Sequence, residues 1–261
     1  MEKHNFKKKF GQNFLKDENI IKKIVSSSDI EDDSLVIEIG PGAGALTNEL
    51  LKRTQVLAYE IDIELKERLE ARFKDKENFN IIFDDFLKRD VKNDIKEFNY
   101  KNLYVIANLP YYITTPILNK LIDEKLNVKK IVIMVQKEVG ERFSAKPKTK
   151  DYGSITVFLN YFFDIKKLFL VSRTCFIPSP NVDSVILSLD KKEEKLKVND
   201  ENKFFKLVKD AFQFKRKTIK NNLSAYNFDK IELVLKKHNL TLSTRAEEIP
   251  LEIFIDISNN I

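Results

Sequence analysis

The chain has one cysteine, Cys175, and two histidines, His4 and His238, in 261 residues. A single thiol excludes an intramolecular disulfide framework and fits a reducing compartment. Three such residues, far apart in sequence, leave almost no material for a zinc centre or for a Cys/His or Ser/His nucleophile. No metal site is expected. Cys175 reads as a small packed residue, the usual state of a free cysteine, and the two histidines as surface residues. Long apolar runs are lacking too: no window approaches the ~18 unbroken apolar residues of a membrane span. The N-terminal lysines Lys3, Lys7, Lys8 and Lys9 are not followed by the apolar stretch of a secretory signal. The cytoplasm is the expected compartment, with no membrane partner.

What is present is enough for a full core, with 43% hydrophobic and 33% charged residues. The net charge of +6 is modest, but basic residues gather in Lys7-Lys8-Lys9, in Lys146 to Lys150 and in Lys215-Arg216-Lys217. Such clusters suit a polyanionic partner, and they equally suit solvated faces.

Short apolar runs at Leu35-Val36-Ile37, Val56-Leu57-Ala58, Phe79 to Phe83, Leu103 to Ala107 and Ile131 to Val135 read as strands. Between them, Leu46 to Arg53, Ile63 to Phe73 and Pro116 to Lys125 carry apolar residues near helical spacing. This alternation predicts an α/β fold with a doubly wound sheet. Ser154 to Phe163 and Val182 to Leu189 are expected to extend the sheet, and Lys146 to Gly153 to form a basic loop. The charged stretch Asp190 to Asn199 reads as a linker. It predicts a main domain over 1–190 and a small all-α domain over 191–261, with helices at Glu201 to Phe214, Thr218 to Leu223, Lys230 to His238 and Pro250 to Ile257.

Directly after the first of these runs stands Glu38-Ile39-Gly40-Pro41-Gly42-Ala43-Gly44. Glycines there let the backbone turn tightly and approach a ligand. Glu60, twenty positions after Gly40 at the end of the next strand, can accept hydrogen bonds from both hydroxyls of a ribose. Asp85, after the third strand, is an acceptor where an adenine amino group is expected. Glu38 and Asp62 either join this site or merely orient loops. A nicotinamide cofactor would use the same glycines and carboxylate, so these residues do not choose the chemistry.

The choice comes from Asn108-Leu109-Pro110-Tyr111-Tyr112 after the fourth strand. Adenine N6 is a poor nucleophile because its lone pair is delocalised into the ring. The side-chain oxygen of Asn108 and the main-chain carbonyl of Leu109 can each accept one N6 hydrogen and draw that nitrogen toward tetrahedral geometry. Pro110 stiffens the turn and Tyr111 supplies a face for an unstacked base, a contact worth about 1–3 kcal/mol. A sulfonium methyl is electrophilic enough to need no dedicated general base, which agrees with the absence of a histidine nearby. The competing reading is a plain strand-ending turn, since Asn and Pro are common turn residues. Phe176, in Cys175-Phe176-Ile177-Pro178-Ser179-Pro180, is either a second stacking surface or a core aromatic.

Together these residues resemble the ribosomal RNA adenine dimethyltransferase family of the KsgA/RsmA type over nearly the whole chain. Phe10-Gly11-Gln12-Asn13-Phe14-Leu15 is similar to the family's opening signature, which implies that Asn13 and Leu15 contact the cofactor; Gly40, Glu60, Asp85 and Asn108 match its other cofactor positions. Gln136 to Val139, Tyr152-Gly153-Ser154, Phe176 to Ser184, Phe214 to Ile219 and Arg245-Ala246-Glu247 follow its pattern as well. The resemblance implies a Rossmann-like class I methyltransferase sheet, S-adenosylmethionine as cofactor, and dimethylation of N6 on two adjacent adenines near the 3′ end of small-subunit ribosomal RNA, in a pre-30S particle. A monomer is expected. The alternatives are the macrolide-resistance group, which dimethylates large-subunit RNA, and a non-catalytic ribosome-assembly or transcription factor on the same fold. Leu109, Gly11-Gln12 and the C-terminal segments favour the small-subunit group, and intact Gly40 and Asn108 favour an enzyme.

Overall fold

A computed structural model describes residues 13–109, 113–194 and 196–261. In chain order the elements are β1 (Phe14–Leu15), α1 (Glu18–Ser26), β2 (Ser34–Ile39), α2 (Ala45–Leu50), β3 (Gln55–Glu60), α3 (Lys66–Phe73), β4 (Phe79–Phe83), α4 (Val91–Asp94), β5 (Asn102–Asn108) and α5 (Thr114–Asp123). They continue with β6 (Val128–Gln136), α6 (Lys137–Phe143), α7 (Ser154–Phe162), β7 (Phe163–Val171), β8 (Phe176–Ile177), β9 (Ser184–Lys191), α8 (Glu201–Ala211), α9 (Ile219–Asn222), α10 (Phe228–Lys237) and α11 (Leu251–Asn260).

Seven strands form one sheet in the order β4-β3-β2-β5-β6-β9-β7. The five from β4 to β6 run parallel and β9 pairs antiparallel with β6. Every residue of β2 is buried, as expected for a central parallel strand covered on both faces, so its sequence is a run rather than an alternation. The strand order reverses beside β2, with β3 and β4 to one side and β5 and β6 to the other. Ligands bind at such a switch point, outside the carboxyl ends of the strands.

The chain divides into two compact units. One runs through Gly140 and resumes for Lys166–Asp190; the other comprises Glu141–Ile165 and Lys191–Ile261. This differs from the single boundary expected after residue 190, because residues 141–165 group with the C-terminal helices. Ser154 to Phe163 is also corrected: it is the helix α7, and the strand begins only at Phe163. Its β-branched and aromatic residues favour a strand, but tertiary packing decides otherwise. Within that unit the Phe158 and Phe162 rings meet Phe205 of α8 with centroids 4.9 and 5.7 Å apart. At the helix start Thr156 Oγ1 accepts the Gly153 N–H at 3.2 Å.

Sequence reading also passed over α1. Asp17 caps it by accepting the N–H groups of Asn19 and Ile20 at 2.9 and 3.2 Å, and Ile21, Ile24 and Val25 bury one face. The ribbon of β1 and β8 pairs Phe14 with Ile177 and Leu15 with Phe176.

Candidate active site

The carboxyl ends of four neighbouring strands converge. Ile39 lies opposite Tyr59 and Ala107, and Glu60 opposite Phe83, so the residues that follow come side by side. They enclose a cavity of about 250 Å³ lined by Asn13, Leu15, Gly40, Glu60, Asp85, Asn108 and Leu109, among others. The expected cofactor positions are therefore assembled in one place. Pro110 and Tyr111, like Tyr112, His4 and Lys7-Lys8-Lys9, lie outside the described residues.

The glycine loop leaves β2 with Gly40 and Gly42 in the left-handed region, at φ +72° and +56°. A Cβ on Gly40 would meet nothing within 4 Å, so backbone is laid open to the cavity there. At Gly42 a Cβ would lie 2.6 Å from the Phe14 ring, which means that the N-terminal strand closes directly over the loop.

Glu60 is 4% exposed. Its two oxygens accept the N–H groups of Gly42 and Asp62 at 3.0 and 2.9 Å, which fixes the carboxylate and leaves each oxygen a lone pair for a ligand. Burial raises its pKa, and those backbone bonds oppose the shift. Asp62 is buried and accepts the Glu64 N–H at 3.3 Å, so it orients the loop.

Glu38 belongs to the cavity. It is 1% exposed, lines the wall, and its Oε2 has no hydrogen-bond partner among the described residues. Burial pushes its carboxyl up to about 8, with Thr47 opposing and the Glu60 charge adding to the rise. Open glycine backbone and a fixed, buried carboxylate fit an adenosine-carrying cofactor.

Asn108 ends β5 and its Nδ2 donates to the Asn13 carbonyl at 3.2 Å. An amide whose NH₂ is tied in this way directs its oxygen elsewhere, so Oδ1 is held as an acceptor. Leu109 follows, 2% exposed and on the cavity wall.

Phe176, which the sequence leaves as either a second stacking surface or a core aromatic, lies with the core in this structure. Its ring is 2% exposed in the apolar core with Leu15, Val171 and Ile186, and it does not line the cavity. It pairs with Leu15 in the ribbon of β1 and β8. Residues not singled out from the sequence include Phe14, Ile61 and Phe86, all on the cavity wall. Ile61 could have been found as an apolar residue directly after Glu60, the carboxylate expected to meet a ribose, and it is 48% exposed.

Cys175 is half-buried, with Sγ 3.7 Å from Asp17 Oδ2. His238 is exposed and sits 3.2 Å from Asp256. Among the described residues no group of His, Cys, Asp and Glu could hold a metal, and no helix is long and apolar enough to cross a membrane. In the C-terminal unit, Lys215 Nζ donates to the Lys150 carbonyl at 2.6 Å, which brings two of the basic clusters together.

The family model for ribosomal RNA adenine dimethylases matches residues 3–261. The chain belongs to this family. It is 45% identical to the ribosomal RNA small subunit methyltransferase A of Streptococcus pneumoniae, over 99% of this chain and 93% of that one. Among solved structures, a dimethyladenosine transferase from Plasmodium falciparum superposes with a TM-score of 0.79 at 27% identity, covering 94% of this chain and 95% of its own. The 23S ribosomal RNA methyltransferase ErmE superposes with 0.75 at 26% identity, covering 95% and 99%. Within this family the convergence of Gly40, Glu60, Asp85 and Asn108 gains a chemical meaning that a glycine loop alone lacks.

Proposed function

We propose that the chain transfers methyl groups from S-adenosylmethionine to N6 of two adjacent adenines in a hairpin loop near the 3′ end of small-subunit ribosomal RNA. The observation that carries this reading is the Asn108 amide, tethered by the Asn13 carbonyl at the edge of the cofactor cavity. The name and 45% identity of the pneumococcal relative favour the small subunit over the large one, which the more distant ErmE methylates.

When bound, the cofactor supplies an electrophilic methyl group on a sulfonium. Glu60 accepts hydrogen bonds from the ribose hydroxyls, and Asp85 accepts one from the adenine amino group. On the acceptor side, Asn108 Oδ1 and the Leu109 carbonyl each accept a hydrogen bond from one N6–H of the unmethylated adenine, and Tyr111 stacks on the base. Holding the acceptor nitrogen in line supplies much of the rate as orientation. The proton left over passes to water, so no histidine is required.

An unpaired loop suits this site because its bases are splayed out cheaply. Lys146, Lys148, Lys150, Lys215, Arg216 and Lys217, all exposed, face RNA phosphates. The substrate is a pre-30S particle, and the enzyme works as a cytoplasmic monomer.

The test offers labelled cofactor with unmethylated small or large ribosomal subunits. Label is expected in small-subunit RNA. Label confined to large-subunit RNA gives the macrolide-resistance reading, and label in neither gives a non-catalytic assembly factor.

A further inference from the structure

After β4 the chain makes a turn whose first residues, Asp84 and Asp85, wall the cavity. The turn is braced from within. Asp84 Oδ1 accepts the Asp85 N–H at 2.7 Å, Asp85 Oδ1 accepts that of Leu87 at 3.0 Å, and the Arg89 N–H reaches the Phe86 carbonyl at 3.3 Å. Local bonds of this kind set a turn's shape but not its place.

Arg89 ties it down. Its Nε and Nη2 donate to the Asp94 carboxylate at 3.1 and 2.5 Å, and its Nη1 lies 3.5 Å from Asp84 Oδ2. Its carbonyl accepts from Lys120 Nζ at 2.6 Å. The Asp94 side chain is 4% exposed and also accepts from the Tyr59 hydroxyl at 3.1 Å. Tyr59 and Phe86, edge to face with centroids 5.0 Å apart, both line the cavity. One planar guanidinium thus links a carboxylate at the cavity wall to a buried carboxylate that holds one ring of this pair. Arg89 is not among the cavity-lining residues.

We infer that Arg89 is a positioning residue for the adenosine half of the cofactor, setting the carboxylates and rings that touch it. The inference rests on the assignment of the cavity to S-adenosylmethionine. A forked donor is needed, because a lysine ammonium is a single point of charge and cannot hold Asp84 and Asp94 together in a fixed plane. The half-exposed pair with Asp84 contributes little to stability, so its effect falls on geometry.

The test measures calorimetric affinities for S-adenosylhomocysteine and for 5′-methylthioadenosine, which share the adenosine half and differ in the amino-acid tail. Arg89→Met is expected to weaken both by the same factor, about tenfold, the equivalent of ~1.4 kcal/mol. KM for the cofactor rises to match, while kcat at saturating cofactor stays within about twofold, and Arg89→Lys recovers only part of the affinity. Because Arg89→Met leaves the buried Asp94 charge without its partner, the double variant Arg89→Met with Asp94→Asn is measured alongside. Unchanged nucleoside affinity in either folded variant overturns the inference, as does a kcat loss as large as the rise in KM. Failure of the wild-type protein to bind either nucleoside overturns the cofactor assignment itself.

Discussion

Replacing Asn108 by Asp separates the strength of the acceptor from its orientation. The two side chains have the same shape, and a carboxylate is the better acceptor for an N6 hydrogen. If acceptor strength were all that mattered, Asn108→Asp would match or exceed the wild type. The structure predicts the reverse. Asn108 Nδ2 donates to the Asn13 carbonyl at 3.2 Å, and Asp puts an oxygen there instead. That carbonyl loses its donor and meets a negative charge at the same distance. Losing a partly buried hydrogen bond to a carbonyl and setting an oxygen against it costs about 1–3 kcal/mol. If this cost is paid by rotating the carboxylate or shifting the Asn13 strand, the acceptor leaves its place, and each ~1.4 kcal/mol is a tenfold loss. Single-turnover methyl transfer at neutral pH should therefore fall by roughly 5- to 160-fold. The sign of the pH dependence adds a second check. A protonated Asp regains an O–H that can donate to the Asn13 carbonyl, so the variant should recover as pH falls, relative to wild type at each pH. A variant as fast as wild type at neutral pH, or one equally impaired at every pH, refutes the argument from orientation.

Glu38 predicts a pH effect on stability. Its carboxyl has a pKa of about 8 when folded, against 4.5 in the unfolded chain. The stability tied to its proton is thus fully present below 4.5 and lost as pH rises through about 8. Glu38→Gln should flatten the fall in Tm across that window, and an unchanged slope refutes this. Gly42→Ala should lower Tm further than Gly40→Ala. Both strain a left-handed residue by about 1–2 kcal/mol, but only at 42 does the new Cβ strike a ring, with Phe14 atoms at 2.6 and 2.8 Å. The opposite order, by thermal melting, would count against closure of the Phe14 ring over the loop. Arg216→Ala and Lys217→Ala should each reduce the salt slope of RNA binding by about one, read by filter binding from 50 to 200 mM salt; an unaltered slope removes them from the phosphate contacts.

The sheet was legible because its parallel strands are covered on both faces and so appear as short apolar runs separated by helical spacing, as β2, β3 and β5 do. Gly40, Glu60, Asp85 and Asn108 were legible because each follows one of those runs. What escaped depends on contacts between distant residues. Ser154 to Phe162 has the composition of a strand, yet it forms a helix whose Phe158 and Phe162 rings pack on Phe205 of α8. β1 and β8 have two residues each, too short for any periodicity. That Glu38 is buried on the cavity wall has no sequence signature. Phe176 shows the opposite case, a motif residue whose type fits stacking but whose neighbours enclose it.

The small ribbon of β1 and β8 has a consequence for synthesis. Phe14 leaves the ribosome early, yet its partner Ile177 emerges only after most of the sheet has been made. Until then the strand that closes over the glycine loop has no edge to dock on, and joining segments so far apart carries a loop-closure cost. A nascent chain ending short of Phe176 can own every residue of the glycine loop and of β1 and still lack the strand with which β1 pairs.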